Sequence, residues 1–291
     1  MKRIRTIRDA LTWGSRKLDA SGNRNPRMDA EVLLAMALSL DRASLFASPE
    51  TPLDELVRER YIAWIELREK HYPLQYIRGS QEFFGRDFAV APGLLIPRPE
   101  TELVVETCLE LTAEAERPVE CFRILDIGTG TGCIAITLLA EDPSLRAAAT
   151  DISFSAASTA SENARSLLKD PSRLLLFVSD LAGCISLSTR FDLIVSNPPY
   201  IGWAESGRVD PSVKLYEPEE ALFSGASGFE FFARILRETP RLLAPKGALV
   251  IEIGEGQQEP LRKMGISEGW ELYSTHQDLA GIPRCMVFSR R

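Results

Sequence analysis

Histidine is nearly missing from this chain of 291 residues, which has only His71 and His276, and its five cysteines (Cys108, Cys121, Cys133, Cys184 and Cys285) include no C-x-x-C pair. Imidazole and thiolate metal sites need clusters of such ligands, and an odd cysteine count without paired spacing does not make a disulfide framework. No metal is therefore expected, and the thiols are expected to be free and buried. No apolar run approaches the ~20 residues that cross a bilayer. The Arg-rich start, Met1-Lys-Arg-Ile-Arg-Thr6, lacks the apolar block of a signal peptide. No membrane partner and a cytoplasmic location are the resulting expectations. Positive charge is also short, with 34 Lys and Arg against 41 Asp and Glu and a net charge of −7. That balance does not suit a broad basic surface, so no direct nucleic-acid partner is expected. The deficit is uneven. Residues 1–80 hold 14 basic against 11 acidic side chains, and the remainder 20 against 30. The amino-terminal part is thus the better docking surface for an acidic partner.

What is present is the composition of a soluble globular protein, 45% hydrophobic and 26% charged, with length for two domains. Residues 1–80 read as a small α-helical bundle. Ile7, Leu11, Gly14 and Leu18 recur at helical spacing. Asn25-Pro26 then starts a helix carrying Met28, Val32, Leu33, Met36 and Leu40, and Thr51-Pro52 starts another carrying Leu53, Val57, Trp64, Ile65 and Leu67. No catalytic constellation lies among them, and their stripes read as core. Residues 81–102 form a hairpin and linker, with Gly85 near the turn of Glu82–Val90 and a stiff Pro97-Arg98-Pro99 entry to a helix through Leu103, Val104 and Leu109. Arg98, Glu100 and Glu102 could line a pocket mouth.

Residues 103–291 alternate strand and helix, the pattern of an α/β domain with a mostly parallel sheet covered on both faces. Ile124–Ile127, Ala147–Thr150, Leu174–Val178, Phe191–Ser196 and Ala248–Ile253 read as strands, and Trp270–Tyr273 with Cys285–Phe288 as a closing pair. Phe229 to Leu243 reads as helix and Ala244-Pro-Lys-Gly247 as a turn. After the first of these strands comes Gly128-Thr129-Gly130-Thr131-Gly132, where backbone can approach a ligand closely. Asp151 follows 19 residues after Gly132, at the end of the second strand, where a carboxylate can accept both hydroxyls of a ribose. Dinucleotide enzymes share that logic with the spacing G-x-G-x-x-G, whereas here it is G-T-G-T-G with Asp126 before it.

Phe191–Ser196 delivers Asn197-Pro198-Pro199-Tyr200 to a sheet edge, because the prolines stop the strand. The Asn197 side chain and the Pro198 carbonyl are two acceptors that match the two hydrogens of a planar NH2 group, and Tyr200 has a flat face to stack on it. A clamp for an amide or an exocyclic amine is one reading of this corner. A proline-rich turn that merely closes a strand is the other.

Asp126, the glycines, Asp151, Asp180 and Asn197-Pro-Pro-Tyr200, each at a strand end, together resemble the Rossmann-like, seven-stranded methyltransferases that use S-adenosylmethionine. The resemblance implies that Asp126 and Gly128, Thr129, Gly130, Thr131 and Gly132 pass near the methionine part, that Asp151 binds the ribose, that Asp180 and Leu181 flank the adenine, and that Asn197 also borders the cofactor. Asn-Pro-Pro-Tyr is shared by enzymes that methylate adenine, guanine or glutamine nitrogen. Pro73–Ile77, Glu82–Gly85, Leu95–Glu102, Phe191–Ile201, Tyr216-Glu-Pro218 and Ala221–Gly225 resemble the peptide chain release factor glutamine methyltransferases, over nearly the whole length. Leu181 stands where relatives often have an aromatic residue, and Ser227 where an acidic one is common. The resemblance implies transfer of methyl to the glutamine amide of the Gly-Gly-Gln motif, with Asn197, Pro198 and Tyr200 catalytic and Asn197, Pro198, Pro199 and Tyr200 binding substrate. It implies that Pro97–Glu102 closes over the cofactor and that residues 1–80 recognise the release factor. The chain is expected to act as a monomer, and a nucleic-acid amine methyltransferase is the alternative.

Overall fold

A computed structural model describes residues 4–114 and 122–290. The chain divides into two compact units, Met1–Gly79 with Asp210–Tyr216, and Ser80–Val209 with Glu217–Arg291. Among the described residues no helix is long and apolar enough to cross a membrane.

The first unit holds α1 (Ile7–Ala20), α2 (Pro26–Leu38), α3 (Arg42–Ala47), α4 (Glu55–Glu69) and α5 (Leu74–Arg78). Each start has a local cause. Thr6 and Asp9 form a capping box on α1, and Asp41 and Asp54 accept from Ser44 and Val57 at the heads of α3 and α4. Asp54, rather than Thr51-Pro52, therefore starts α4. The core joins Ile7, Ala10, Leu18, Leu33, Leu34, Leu45, Tyr61 and Ile65. Gly14 has a packing reason, since a Cβ there would sit 2.1 Å from the Tyr61 hydroxyl. The expected stripe on α2 is displaced. Leu33 is buried, but so are Ala30, Leu34 and Ala37, while Met28 is 50% exposed and Leu40 lies beyond the helix, which Ser39 ends in a left-handed conformation. Small alanines on that face let α1 and α4 approach, which a rule that follows only large apolar residues misses.

In the second unit β1 (Ser80–Phe83) and β2 (Arg86–Ala89) make a hairpin whose turn residues, Phe84 and Gly85, have φ of 51° and 72°. Both central residues at positive φ is the hairpin geometry that glycine eases. A 3-10 turn at Pro99–Thr101 leads into α6 (Glu102–Ala113). Then follow β3 (Arg123–Ile127), α7 (Cys133–Glu141), β4 (Arg146–Asp151), α8 (Phe154–Leu167), β5 (Leu174–Val178) and β6 (Phe191–Ser196). After β6 come α9 (Pro211–Tyr216), which belongs to the first unit, α10 (Glu219–Leu222), α11 (Glu230–Glu238), β7 (Leu243–Glu252), α12 (Gln258–Ser267), β8 (Glu271–Gln277) and β9 (Pro283–Ser289).

The sheet has seven strands in the order β5-β4-β3-β6-β7-β9-β8, parallel from β5 to β7, with β9 antiparallel to both its neighbours. Alternate residues feed two cores. Ile124, Leu193, Val195 and Val250 pack with Val104, Ile134 and Leu138 on one face, and Leu125, Ile194, Leu249 and Ile251 with Phe232, Ile235 and Leu261 on the other. Burial on both faces is why these strands read as continuous apolar runs. Two local expectations change. The helix expected to Leu243 stops at Glu238 because Pro240 cannot continue it. The expected turn at 244–247 is a bulge inside β7, where pairing jumps from Phe191↔Leu243 to Leu193↔Ala248 and Lys246 takes φ 63°. Of the thiols, Cys108 and Cys285 are buried, Cys133 is half-buried and Cys184 is exposed, because it lies in the irregular segment after β5. Cys121 lies outside the described residues.

Candidate active site

Strand register brings the singled-out residues to one edge. Ile127 pairs with Thr150 and with Ser196, Asp151 with Val178, and Ser196 with Ile251. The chain therefore leaves the sheet at Gly128, Asp151, Ser179-Asp180, Asn197 and Glu252 along the carboxyl ends of five adjacent strands. Neighbouring strands lie about 4.8 Å apart, so Asp151 and Asn197 flank the glycine turn one strand away on either side. Carboxyl ends of parallel strands are where such sheets bind ligands.

The glycine turn is built from backbone. Gly128 and Thr129 both donate to the Thr150 carbonyl, at 2.8 and 2.9 Å, and Gly132 donates to the Thr129 carbonyl at 2.8 Å. Gly128, Gly130 and Gly132 have φ of 74°, 56° and 83°, the region where L side chains are strained. Their surroundings differ. A Cβ on Gly132 would meet Ile136 at 2.6 Å, so this glycine serves helix packing, whereas a Cβ on Gly128 or Gly130 meets nothing within 4 Å. The open side is on the ligand edge. Asp126 is fully buried and accepts from the Thr129 hydroxyl at 2.7 Å and from Ala135 N at 3.3 Å, while its Oδ1 has no partner. Burial raises this carboxyl to about 6, against the pull of those two hydrogen bonds. The buried Thr131 sits between, its carbonyl accepting from the Asn163 side chain at 2.9 Å.

Asp151 accepts from Gly130 N at 2.8 Å through Oδ2 and from Ser153 N at 2.9 Å through Oδ1. Each oxygen keeps a second lone pair for a ligand hydroxyl. The next apolar residues, Ile152 and Phe154, are 67% and 77% exposed, a surface against which a flat base can pack. An open glycine turn, an unpartnered buried carboxyl oxygen, a carboxylate and exposed apolar side chains fit a nucleoside bearing a charged amino-acid arm. Asp180 and Leu181 are placed differently from one another. Asp180 is exposed and ion-paired with Arg234 at 2.9 Å, while Leu181, at φ 46°, puts its side chain into the core with Leu125 and Ile127.

The Asn197 corner is built from side chains. Asn197 Nδ2 donates to the Thr101 hydroxyl at 3.1 Å, and that hydroxyl donates to Glu252 Oε2 at 2.6 Å. The Tyr200 hydroxyl donates to Glu252 Oε1 at 3.3 Å. Among the described residues Asn197 Oδ1 and the Pro198 carbonyl carry no protein partner. Burial and the neighbouring Glu252 raise the Tyr200 phenol above its ordinary value, so it stays protonated and acts as a donor. Glu252 is 1% exposed, and burial pushes its carboxyl up to about 7.

The corner is braced from behind. Gln257 donates to the Tyr200 carbonyl at 2.8 Å and accepts from Gly254 N at 2.9 Å. Ile201 N donates to the Leu222 carbonyl and Ser224 N to that of Ile201, and Trp203 stacks on Phe223 at 4.2 Å. A Cβ on Gly228 would lie 2.5 Å from the Tyr200 carbonyl, so this loop needs glycine there. Ser227 N and Oγ both bond Glu230, which gives the serine a loop-closing place. Of the presumed mouth residues, Arg98 pairs with buried Glu217 at 2.6 Å, Glu102 accepts from Phe84 N at 2.8 Å, and Glu100 is exposed. Glu217 also accepts from Ile96 N, and burial raises its carboxyl. Asn163, Glu252 and Gln257 had no signal of their own in the sequence, whereas Thr101 and Glu217 lie in stretches that stood out only through the family resemblance.

Comparison with known proteins places this site in context. A model described as PrmC N-terminal domain matches residues 9–79, and one described as Methyltransferase small domain matches residues 107–208. The chain is 40% identical over 282 residues to the release factor glutamine methyltransferase of Koribacter versatilis, covering 97% of this chain and 98% of that protein. It is 39% identical over 292 residues to that of Moorella thermoacetica, covering 98% and 99%. The N-terminal domain of human METTL16, solved with SAH, shares the fold at TM-score 0.52 and 17% identity over 72% of this chain and 77% of that one.

Proposed function

We propose, for a chain that belongs to the release factor glutamine methyltransferase family, that it methylates the side-chain amide nitrogen of the glutamine in the Gly-Gly-Gln motif of peptide chain release factors. S-Adenosylmethionine, when bound, supplies a methyl group already activated on sulfonium sulfur. The protein's own task is then orientation. The amide nitrogen is planar and its lone pair delocalised, so Asn197 Oδ1 and the Pro198 carbonyl each take one N–H and turn the nitrogen toward the incoming carbon, with Pro199 stiffening the bend and the Tyr200 ring packed on the amide plane. Holding reactants in line can be worth up to about 7–11 kcal/mol. The new N–CH3 bond would form as the S–CH3 bond breaks, its electron pair staying on sulfur as a neutral thioether, and one of the two amide protons would leave to solvent to give a secondary amide. The observation that supports this reading is a pair of carbonyl acceptors without protein partners on a bend braced by Gln257 and Glu252.

Gly128, Thr129, Gly130, Thr131 and Gly132 hold the amino-acid arm of the cofactor, Asp151 its ribose, and Asp180 and Leu181 border the adenine. Residues 1–80 recognise the release factor, 81–102 form the hairpin and linker, of which Pro97–Glu102 closes over the cofactor, and 103–291 carry out transfer, in a cytoplasmic monomer. Peptide mass spectrometry of release factor incubated with this protein and S-adenosylmethionine tests the reading. One added methyl on the Gly-Gly-Gln glutamine is expected. An unmodified glutamine, with methyl instead on adenine or guanine of DNA or ribosomal RNA offered in parallel, would move the enzyme to nucleic-acid substrates.

A further inference from the structure

We propose that Glu252, buried beneath the Asn197 corner, is a positioning residue that fixes which way round the Asn197 amide sits, acting through the hydroxyl of Thr101. The inference rests on the reading that Asn197 Oδ1 receives the substrate amide. An ionised carboxylate only accepts hydrogen bonds. Thr101 has one hydroxyl proton, and the 2.6 Å contact gives it to Glu252 Oε2. The Thr101 oxygen can then only accept, and at 3.1 Å its remaining neighbour is the Asn197 amide, which must present Nδ2. The carbonyl Oδ1 is thereby turned outward. A charge at the far end of a three-member chain sets the polarity of every link. Glu252 Oε1 meanwhile receives the Tyr200 hydroxyl, so one carboxylate holds both side chains of the clamp.

Protonation undoes the arrangement. A neutral Glu252 donates to Thr101, whose own proton is freed to point at Asn197, and the amide can then rotate and face the substrate NH2 with its own NH2. Two donors opposed do not bind. Besides Thr101 and Tyr200, the titratable and charged groups facing Glu252 are Glu100, Arg284 and the thiols of Cys133 and Cys285. With this carboxyl raised to about 7, the switch lies within the working range of pH.

The test measures methyl transfer to release factor by T101V, T101S, E252Q and the double variant E252Q/T101V, with cofactor affinity by calorimetry. T101V and E252Q are expected to lower kcat at least about tenfold with the cofactor Kd within about twofold, and T101S, which keeps the hydroxyl, to stay within about threefold of the parent. Because both single changes cut one relay, the double variant should be no slower than the slower single one. In the parent kcat should fall as pH drops through about 7, and T101V should be flat there. Parental kcat in T101V, an acid limb unchanged by T101V, or losses that multiply in the double variant would overturn the inference. N197A separates this from failure of the underlying reading. If N197A also keeps parental kcat the clamp itself is wrong, whereas an inactive N197A beside active T101V and E252Q removes only the relay.

Discussion

The two halves of the candidate site, one strand apart, are made from different materials. After β3 the chain uses glycine conformation and backbone N–H groups, with residues 126–151 supplying nearly every partner. After β6 it uses side chains whose partners arrive from far along the chain, Thr101 from 96 residues away and Gln257 from 57. A backbone cradle tolerates any ligand that fits its opening. A side-chain clamp selects by hydrogen-bond polarity, and must be held by other side chains to do so. The cradle should therefore govern affinity for the cofactor and the clamp should govern turnover.

The largest effect that sharpens this contrast is expected for Asn197→Ala, with kcat for release factor methylation down at least about a hundredfold, since misplacement of reacting atoms alone reaches that size. Next comes a stability effect at the clamp. The folded state raises the Glu252 carboxyl from 4.5 to about 7, so it binds that proton more tightly than the unfolded chain does. The stability this confers is complete below the unfolded value and is lost as pH rises through about 7. E252Q, neutral throughout, should thus be more stable than the parent near pH 8 by about 3 kcal/mol in urea unfolding, the two curves meeting below about pH 4.5. Stability gained with activity lost would mark a carboxylate kept for function. Convergence at high pH instead would remove Glu252 from that role.

On the cradle side, Asp151→Ala should weaken cofactor binding by about tenfold, because it removes a charge-assisted acceptor and frees Gly130 N as well. An unchanged calorimetric Kd would break the ribose assignment. Smallest is Gly130→Ala, where the φ of 56° costs about 1 kcal/mol of fold stability and the new methyl enters open space, not protein. A Gly132→Ala protein, by contrast, should lose more stability than Gly130→Ala, because its methyl must displace the Ile136 side chain and crowd Ala160, and equal behaviour of the two would contradict the division of labour among the glycines.

This contrast also explains what the sequence could disclose. Strands β3 and β6 are buried on both faces and so stand out as apolar runs, β5 is an equally apolar run at the sheet's edge with Leu175, Phe177 and Val178 exposed, and the glycine turn and Asp151 follow at fixed short spacings. The Asn197 corner was legible because prolines stop a strand at a polar residue. Glu252 was not, since a single acid at the next-to-last position of Ala248–Ile253 looks like a solvent-facing residue at a fraying strand end. Its burial depends on Thr101 and Tyr200 meeting it, and no local pattern encodes that meeting. The same limit applies to α2, whose buried face takes Ala30, Ala35 and Ala37 along with Leu33 and Leu34 but leaves Met28 exposed.

The separation of cradle from clamp is tested most directly by one preparation of Asn197→Ala, assayed for turnover on release factor and titrated with S-adenosylmethionine by calorimetry. Methyl transfer reduced at least about a hundredfold, beside a cofactor Kd within a few fold of the parent, is the predicted result. Turnover and affinity falling together, or turnover unchanged, would contradict it.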